Sequence, residues 1–216
     1  MVFVSSNSVF CVAFDPQKPN ILASGSRDKT IKIWNIESGA CQSTLNVDGP
    51  LNSVSFSPDG EFIAAAYYGD IQIFKAQTGE KFQSPLTRHT GAVTQVEFTD
   101  ADTVVSSSHD GTTRAWDVAT GTQKAEFEGD KFSFTKSSGA KQTVGPYVVT
   151  QKDNLVLVHR THALTHNEPT AENSHAVAFF RAPGVVQTLE CAGDRIAVGC
   201  QNGEVLHLQA PWLVDS

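Results

Sequence analysis

One stretch of the chain combines the residue types of a hydrolytic triad. His89 is followed by Ser106, Ser108 and Asp110. Hydrolases that use these residues commonly present the serine on a G-x-S-x-G turn, and the sequence contains no such turn. It also lacks a glycine-rich phosphate loop that opens a helix. The sequence therefore predicts that the chain is not an enzyme and requires no cofactor.

A second group of side chains has the chemistry of metal ligands. His159, His162 and His166 lie close together in HRTHALTH, and His175 follows. A metal site needs three or four ligands that converge in a fixed geometry. These histidines span a predicted strand end and a loop without a rigid frame, so we expect solvated loop histidines and no metal site.

Cysteine usage, charge and hydropathy restrict the compartment and the partners. The cysteines are Cys11, Cys41, Cys191 and Cys200, and none belongs to a C-x-x-C pair. They indicate thiols in a cytoplasmic or nuclear protein. The formal net charge of −7 disfavours nucleic acid as a direct ligand. No apolar run reaches the roughly 18 residues that span a membrane, and the N-terminus lacks the features of a signal peptide.

Internal similarity determines the expected architecture. Three segments align with one another; they span 8–45, 51–86 and 92–127. Trp34, Phe74 and Trp116 fall at equivalent places, separated by 40 and then 42 residues. Four-stranded propeller blades have a repeat length of about 40–45 residues. Each segment reads as short apolar strands, such as IAAA (63–66), between turns such as SPDG (57–60), and no helical period persists.

Two of these segments carry a family resemblance. LASGSRDKTIKIWN and VSSSHDGTTRAWD, which contain Trp34-Asn35 and Trp116-Asp117, resemble the second strand, turn and third strand of the WD-repeat family. The resemblance implies an all-β propeller of four-stranded antiparallel blades. Most members of that family have seven blades.

Beyond residue 127 the resemblance weakens. A fourth unit over 132–181 has candidate strands at 132–138, 147–151, 154–160 and 175–181, with a long insertion before the last. A fifth unit over 185–209 supplies only three strands. The short apolar segment MVFV (1–4) precedes the first unit as the fourth strand of one blade precedes the first strand of the next. The resemblance implies that this segment completes the last blade, which removes an unpaired sheet edge.

The chain is therefore expected to form a single propeller domain over 1–216 with about five blades. The expected blades are 8–45, 51–86, 92–127, 132–181, and 185–209 together with 1–4. Two arrangements remain open: a small closed ring, or the C-terminal part of a larger propeller. An incomplete ring would expose apolar blade faces and self-associate.

The family ties its blades with four side chains: a histidine before the first strand, a serine in the second, an aspartate in the turn and a tryptophan in the third. The resemblance transfers the full set to His89, Ser106 or Ser108, Asp110 and Trp116. It transfers part of the set to Asp28 and Trp34, with Ser24 or Ser26, and puts Ser5 in the place of the histidine. In the second segment Val47 and Phe74 replace the histidine and the tryptophan. These residues are predicted to be structural.

The resemblance also implies a partner-binding face. In the family, the residue before the turn aspartate points toward ligands around the central channel. The corresponding positions are Arg27, His109, Lys152 and Gln201, with Tyr68 as the approximate counterpart in a shorter turn. Arginine and tyrosine are typical anchors of protein interfaces.

The predicted function is a non-catalytic scaffold or adaptor that binds other proteins in a complex. A rival hypothesis is a C-terminal sensor or regulatory propeller of a larger multidomain signalling or ribonucleoprotein component. RIAVGCQNGEVLHLQ (195–209) faintly resembles terminal repeats of NACHT-type signalling ATPases and telomerase-associated WD proteins. Fold alone does not assign a function, so both hypotheses rest on analogy.

Overall fold

The computed structural model is built from β-strands joined by turns and short loops. It describes residues 2–5, 7–128, 141–144, 147–152, 155–160, 176–181, 186–192 and 195–209. Within these ranges every regular element is a strand. No helix in the described part of the chain is long and apolar enough to cross a membrane.

Twenty strands follow one another along the chain. They are β1 (Val2–Val4), β2 (Val9–Phe14), β3 (Ile21–Ser26), β4 (Thr30–Asn35), β5 (Cys41–Asn46), β6 (Leu51–Phe56), β7 (Phe62–Tyr67), β8 (Asp70–Lys75), β9 (Leu86–Thr87), β10 (Val93–Asp100), β11 (Thr103–Ser108), β12 (Thr112–Asp117), β13 (Gln123–Glu128), β14 (Lys141–Val144), β15 (Tyr147–Lys152), β16 (Leu155–Arg160), β17 (Ala176–Arg181), β18 (Val186–Ala192), β19 (Arg195–Cys200) and β20 (Glu204–Gln209).

These strands form five antiparallel sheets of four strands each. Blades 1 to 4 are β2–β5, β6–β9, β10–β13 and β14–β17, each with its strands paired in chain order. Blade 5 has the order β1-β20-β19-β18. The prediction of an all-β propeller with about five four-stranded blades is therefore confirmed.

The last blade takes its outer strand from the other end of the chain. β1 pairs with β20 in the register Val2↔Leu206, Phe3↔Val205 and Val4↔Glu204. The ladder continues past the strand, because the Ser5 amide donates to the Gly203 carbonyl at 2.7 Å. This pairing satisfies backbone groups that would otherwise form an open sheet edge. The expected completion of the last blade by residues 1–4 is thus confirmed.

The blades pack face against face. The first strands of neighbouring blades contact one another in the order β10, β6, β2, β18 and β14, so blades 1 and 5 are neighbours. In blade 2 both faces of the second strand, β7, are covered, and Ala64, Ala65 and Ala66 are all completely buried. Small residues are required there because the sheets approach closely on both sides. One apolar cluster, for example, joins Ile31 of blade 1 to Leu51 and Phe74 of blade 2.

The first described strand of blade 4 is β14. The candidate first strand at 132–138 lies outside the described residues. The strand that pairs with β15 is β14, in the register Lys141↔Thr150 to Val144↔Tyr147. Only two residues separate these strands, and a two-residue connection brings antiparallel strands together more readily than a longer loop.

Removal of residues 1–4 is expected to destabilise blade 5 and promote self-association. The deletion leaves the β20 edge unpaired, and exposed edges recruit other strands. Thermal unfolding should therefore begin at a lower temperature, and light scattering should show concentration-dependent association.

Restoring the strand as a separate peptide provides the control. The peptide MVFVSS should raise the unfolding temperature of the shortened chain. MVPVSS should not, because proline cannot donate to the ladder. Equal behaviour of the two peptides, or an unchanged shortened chain, would contradict the role assigned to β1.

Candidate partner-binding face

The turns between the second and third strands create one edge of each blade. Three residues connect these strands in blades 1, 3 and 5, as at 27–29, 109–111 and 201–203. The third residue has positive φ: 68° at Lys29, 81° at Gly111 and 88° at Gly203. This left-handed conformation reverses the chain, and glycine adopts it at the least cost.

The aspartate of the blade 3 turn fixes the local backbone. Asp110 Oδ1 accepts hydrogen bonds from the Thr112 amide at 2.9 Å and the Thr112 hydroxyl at 2.7 Å. Its Oδ2 accepts from the Thr90 amide at 3.0 Å and from His89 Nδ1 at 2.9 Å. Burial alone would raise the pKa of Asp110, but these hydrogen bonds lower it well below its usual range.

A hydrogen-bonded chain runs from that turn into the blade. His89 Nε2 lies 2.8 Å from Ser106 Oγ, which also accepts from Trp116 Nε1 at 2.8 Å. The tryptophan is only a donor, so the single Ser106 hydroxyl proton is left for His89 Nε2. In the neutral imidazole, which burial favours, Nε2 accepts from Ser106 and Nδ1–H donates to Asp110. Of the two candidate serines, Ser106 joins this network, whereas Ser108 accepts the Asp110 amide at 3.2 Å.

The environment of His89 favours this neutral form. Burial lowers the pKa of His89, although the hydrogen bond and negative charge of Asp110 oppose that effect. Arg114 lowers the same pKa further, and Glu126 raises it. Since both ring nitrogens are engaged and Ser106 is 1% exposed, the triad-like residues support the blade and present no accessible nucleophile.

Blade 1 contains a shorter version of the network. Trp34 Nε1 donates to Ser24 Oγ at 2.8 Å, as Trp116 does to Ser106. Ser5 donates to Asp28 Oδ2 at 3.0 Å and so occupies the place of the histidine. A serine is too short to bridge from the aspartate to Ser24, so the tie is split into two separate hydrogen bonds.

Blade 2 replaces the polar network with apolar contacts. Val47, Ala65 and Phe74 take the places of histidine, serine and tryptophan and belong to one buried cluster. All three polar residues are replaced together, because a partial polar set would leave buried groups without partners. Its turn is a residue shorter, since only Tyr68 and Gly69 separate β7 from β8.

The predicted partner-binding residues lie at these turns. Arg27, His109 and Gln201 are exposed, and Tyr68 is 59% exposed. Tyr68 has φ of 45°, a conformation that is unfavourable for an aromatic residue. Lys152 is the last residue of β15. The structure therefore brings four of these side chains to equivalent turn positions, while the Lys152 side chain lies outside the described residues.

The structure adds a set of residues that sequence patterns missed. The first strands of blades 1, 2, 3 and 5 each contain a register shift near their start. The residues skipped at these bulges are Phe10, Asn52, Thr94 and Gln187. The preceding residue in each strand pairs with the last residue before a turn, for example Val9↔Ser26. Bulges redirect side chains, so these residues reach the solvent beside the turn residues.

The other candidate ligands do not assemble in the described part of the chain. His159 lies on β16, and His162, His166 and His175 fall outside the described residues. Among the described residues, no group of three or more histidine, cysteine or acidic side chains has the arrangement of a metal site. The four cysteines form no disulfide, and Cys41 is exposed.

Comparison with known families agrees with this geometry. The WD domain, G-beta repeat family matches residues 2–35, 39–75 and 80–117, which together make up half of the chain. The chain belongs to the WD-repeat family.

Similar curated proteins match about half of the chain. Protein tipD of Dictyostelium discoideum is 34% identical over 118 residues, which are 54% of this chain and 19% of that protein. The target of rapamycin complex subunit wat1 of Schizosaccharomyces pombe is 35% identical over 112 residues, 50% of this chain and 35% of that protein. The target of rapamycin complex subunit LST8-1 of Arabidopsis thaliana is 38% identical over 113 residues, 50% of this chain and 36% of that protein. The matches thus span about a third or less of these relatives.

The fold also resembles a solved propeller. The crystal structure of the RRP9 WD40 repeats aligns with a TM-score of 0.62 over 96% of this chain and 79% of that chain. The sequences are 17% identical, so the comparison supports the fold alone.

Substitution of Ser106 by alanine is expected to destabilise the fold by roughly 2–4 kcal/mol, because two buried partners lose their hydrogen bonds. Those partners are Trp116 Nε1 and His89 Nε2. Ser108→Ala is the matched control and should cost less than about 1 kcal/mol, since Ser108 accepts one backbone amide. Urea unfolding of both variants measures the difference. Equal losses would refute the assignment of Ser106.

The stability of the fold is expected to fall as the pH drops from about 7 toward 5. The pKa of His89 is lowered by folding, so the unfolded chain binds more protons once the pH passes below its unfolded pKa of about 6.5. Protonation therefore favours unfolding in this interval. His89→Gln should reduce the slope of unfolding free energy against pH, and an unchanged slope in this variant would contradict the role assigned to His89.

Proposed function

We propose that the chain is a non-catalytic scaffold that binds partner proteins through the turn face, meaning the edge formed by the turn residues and the neighbouring bulges. The observation that carries the proposal is the placement of four differing, exposed side chains at equivalent turns. They are Arg27, Tyr68, His109 and Gln201. Their variety supplies charge, aromatic surface and hydrogen-bonding groups on one rigid support.

The rigidity of this face favours a binding role. The Arg27 amide donates to the Ser8 carbonyl at 2.9 Å, and the His109 amide donates to the Ala92 carbonyl at 2.9 Å. These hydrogen bonds attach each turn to the start of the first strand in the same blade. Side chains on a fixed backbone lose little conformational entropy when a partner binds.

The relatives support assembly into protein complexes. Wat1 and LST8-1 are named as subunits of the target of rapamycin complex. By analogy, we infer that this chain also joins protein partners, in the cytoplasm or the nucleus. Its four thiols, one of them exposed at Cys41, suit a reducing compartment.

A second candidate is a regulatory propeller within a larger protein. The matched segments represent 19% of tipD and 16% of the Caenorhabditis elegans BOP1 homologue, so similar repeats occur inside much longer chains. In that case the turn face would hold another segment of the same protein. If the five blades form part of a larger ring, the isolated chain should self-associate.

Loss of the turn-face side chains should abolish partner recovery without unfolding the chain. Arg27→Ala combined with His109→Ala removes two exposed side chains and no described buried contact. Affinity purification followed by mass spectrometry should show depletion of specific partners.

The control uses the outer strand of blade 1. Gln42 and Ser43 are exposed on β5, so their double alanine variant changes a different surface. It should recover the same partners as the unmodified chain. Unchanged recovery with the Arg27 and His109 double variant, at an unchanged unfolding temperature, would contradict the proposed binding face.

A further inference from the structure

Blade 2 presents an aromatic and acidic corner that the other described turns lack. The "blade 2 corner" is the ring of Tyr68, the hydroxyl of Tyr67 and the carboxylates of Asp48 and Asp70. Asp70 begins β8, where blades 1 and 3 have Thr30 and Thr112. Asp48 lies in the connection from β5 to β6.

The Tyr68 ring is exposed but held in place. Gly69 allows the turn to approach the backbone of His89 closely, because a Cβ at this position would lie 2.8 Å from the His89 carbonyl oxygen. The Val93 amide donates to the Tyr68 carbonyl. The ring packs on Gly49, where a Cβ would lie 2.6 Å from two ring carbons. An aromatic face fixed by its backbone and its neighbour is preorganised for stacking with a ligand.

The Tyr67 side chain lies beside this ring. Tyr67 is 3% exposed, and its hydroxyl makes no hydrogen bond to any described residue. Burial raises the pKa of Tyr67 to about 12, and the negative charges of Asp48 and Asp70 contribute. Asp70 is paired with Tyr67 across β7 and β8, and a Cβ at Gly49, the neighbour of Asp48, would lie 3.1 Å from a Tyr67 ring carbon. With no partner among the described residues, the hydroxyl oxygen can accept a hydrogen bond from a ligand group at the corner.

The negative charges of the two carboxylates are only weakly compensated. Asp70 makes no ion pair or side-chain hydrogen bond in the described part of the chain. Burial, and secondly the charge of Asp48, raises the pKa of Asp70. Asp48 pairs with Lys81 at 3.3 Å, but their side chains are 71% and 47% exposed, and such pairs are weak. A cation placed between the carboxylates would relieve their repulsion.

We propose that the blade 2 corner binds one basic side chain, arginine or lysine, of a partner protein. The cation stacks on the Tyr68 ring, pairs with Asp70 and Asp48, and donates to the Tyr67 hydroxyl oxygen. An aromatic face attracts a cation through its quadrupole, and the carboxylates supply the opposite charge. This inference rests on the proposed function, because it names the chemistry of one partner contact on the turn face.

A titration with a defined peptide tests the proposal. The probe is acetyl-Gly-Ser-Arg-Ser-Gly-amide, added to the full chain labelled with ¹⁵N, and the matched peptides carry lysine or glutamine at the centre. The arginine or the lysine peptide should produce saturable shifts of the Gly49, Gly69 and Asp70 amide signals. The glutamine peptide should not. Equal shifts for all three peptides, or none, would overturn the proposal.

Substitutions at the corner should change the affinity in opposite directions. Tyr68→Ala and Asp70→Asn should each weaken binding by about fivefold or more, because they remove the stacking face and a paired charge. Lys81→Gln should strengthen binding about twofold, since it removes the cation that competes for Asp48. Asp102→Asn is the matched control, because it removes an exposed charge from another turn, and it should leave the affinity unchanged.

Two further measurements separate the possible failures. Tyr68→Leu keeps the bulk of the side chain without the aromatic face, so it should weaken binding even if the alanine variant unfolds. Binding that survives both Tyr68→Leu and Asp70→Asn overturns the inference. If the peptide fails to bind while Arg27→Ala with His109→Ala still depletes partners, this inference is wrong and the proposed scaffold function stands.

Discussion

Face-to-face packing of four-stranded sheets is the constraint on which the rest of the molecule depends. A blade cannot bury both of its faces alone, so each needs a neighbour on either side. The completely buried alanines of β7 and the apolar clusters between successive blades show how closely these faces meet. Packing of this kind requires blades of similar shape, which explains the regular repeat. It also fixes the turns at one edge, because every blade runs its strands in the same sense.

The buried polar groups are organised to preserve that packing. In blade 3 the Trp116 N–H, a donor in an apolar setting, is satisfied by Ser106 and through it by His89 and Asp110. Blade 1 uses two separate hydrogen bonds, and blade 2 uses no polar tie at all. Each solution leaves the tryptophan or phenylalanine position buried. The same geometry is therefore reached with different chemistry, and only the ends of the networks differ at the surface.

Those differences change which side chains each blade exposes on the turn face. In blades 1 and 3 the turn aspartate is occupied with the backbone, so the exposed residue beside it is the part that a partner meets. Blade 2 has lost the tie and shortened its turn. Asp70 stands where the other two blades have threonine, and it is paired with Tyr67 across the sheet. Without the polar tie, the side chains at this turn are not engaged in the network that the other two blades build.

The sequence by itself determined the strand content and the repeat, because these depend on local patterns of apolar residues and turn residues. The resemblance to the WD-repeat family added the completion of the last blade and the histidine, aspartate and tryptophan that belong together in blade 3. The choice of Ser106 over Ser108, the pairing of β14 with β15 and the bulges at Phe10 and Asn52 were decided only by the tertiary structure. So was the corner formed by Asp48 with Asp70. These features depend on strand register and on contacts between segments distant in sequence, and a one-residue change of register reverses the direction of every side chain.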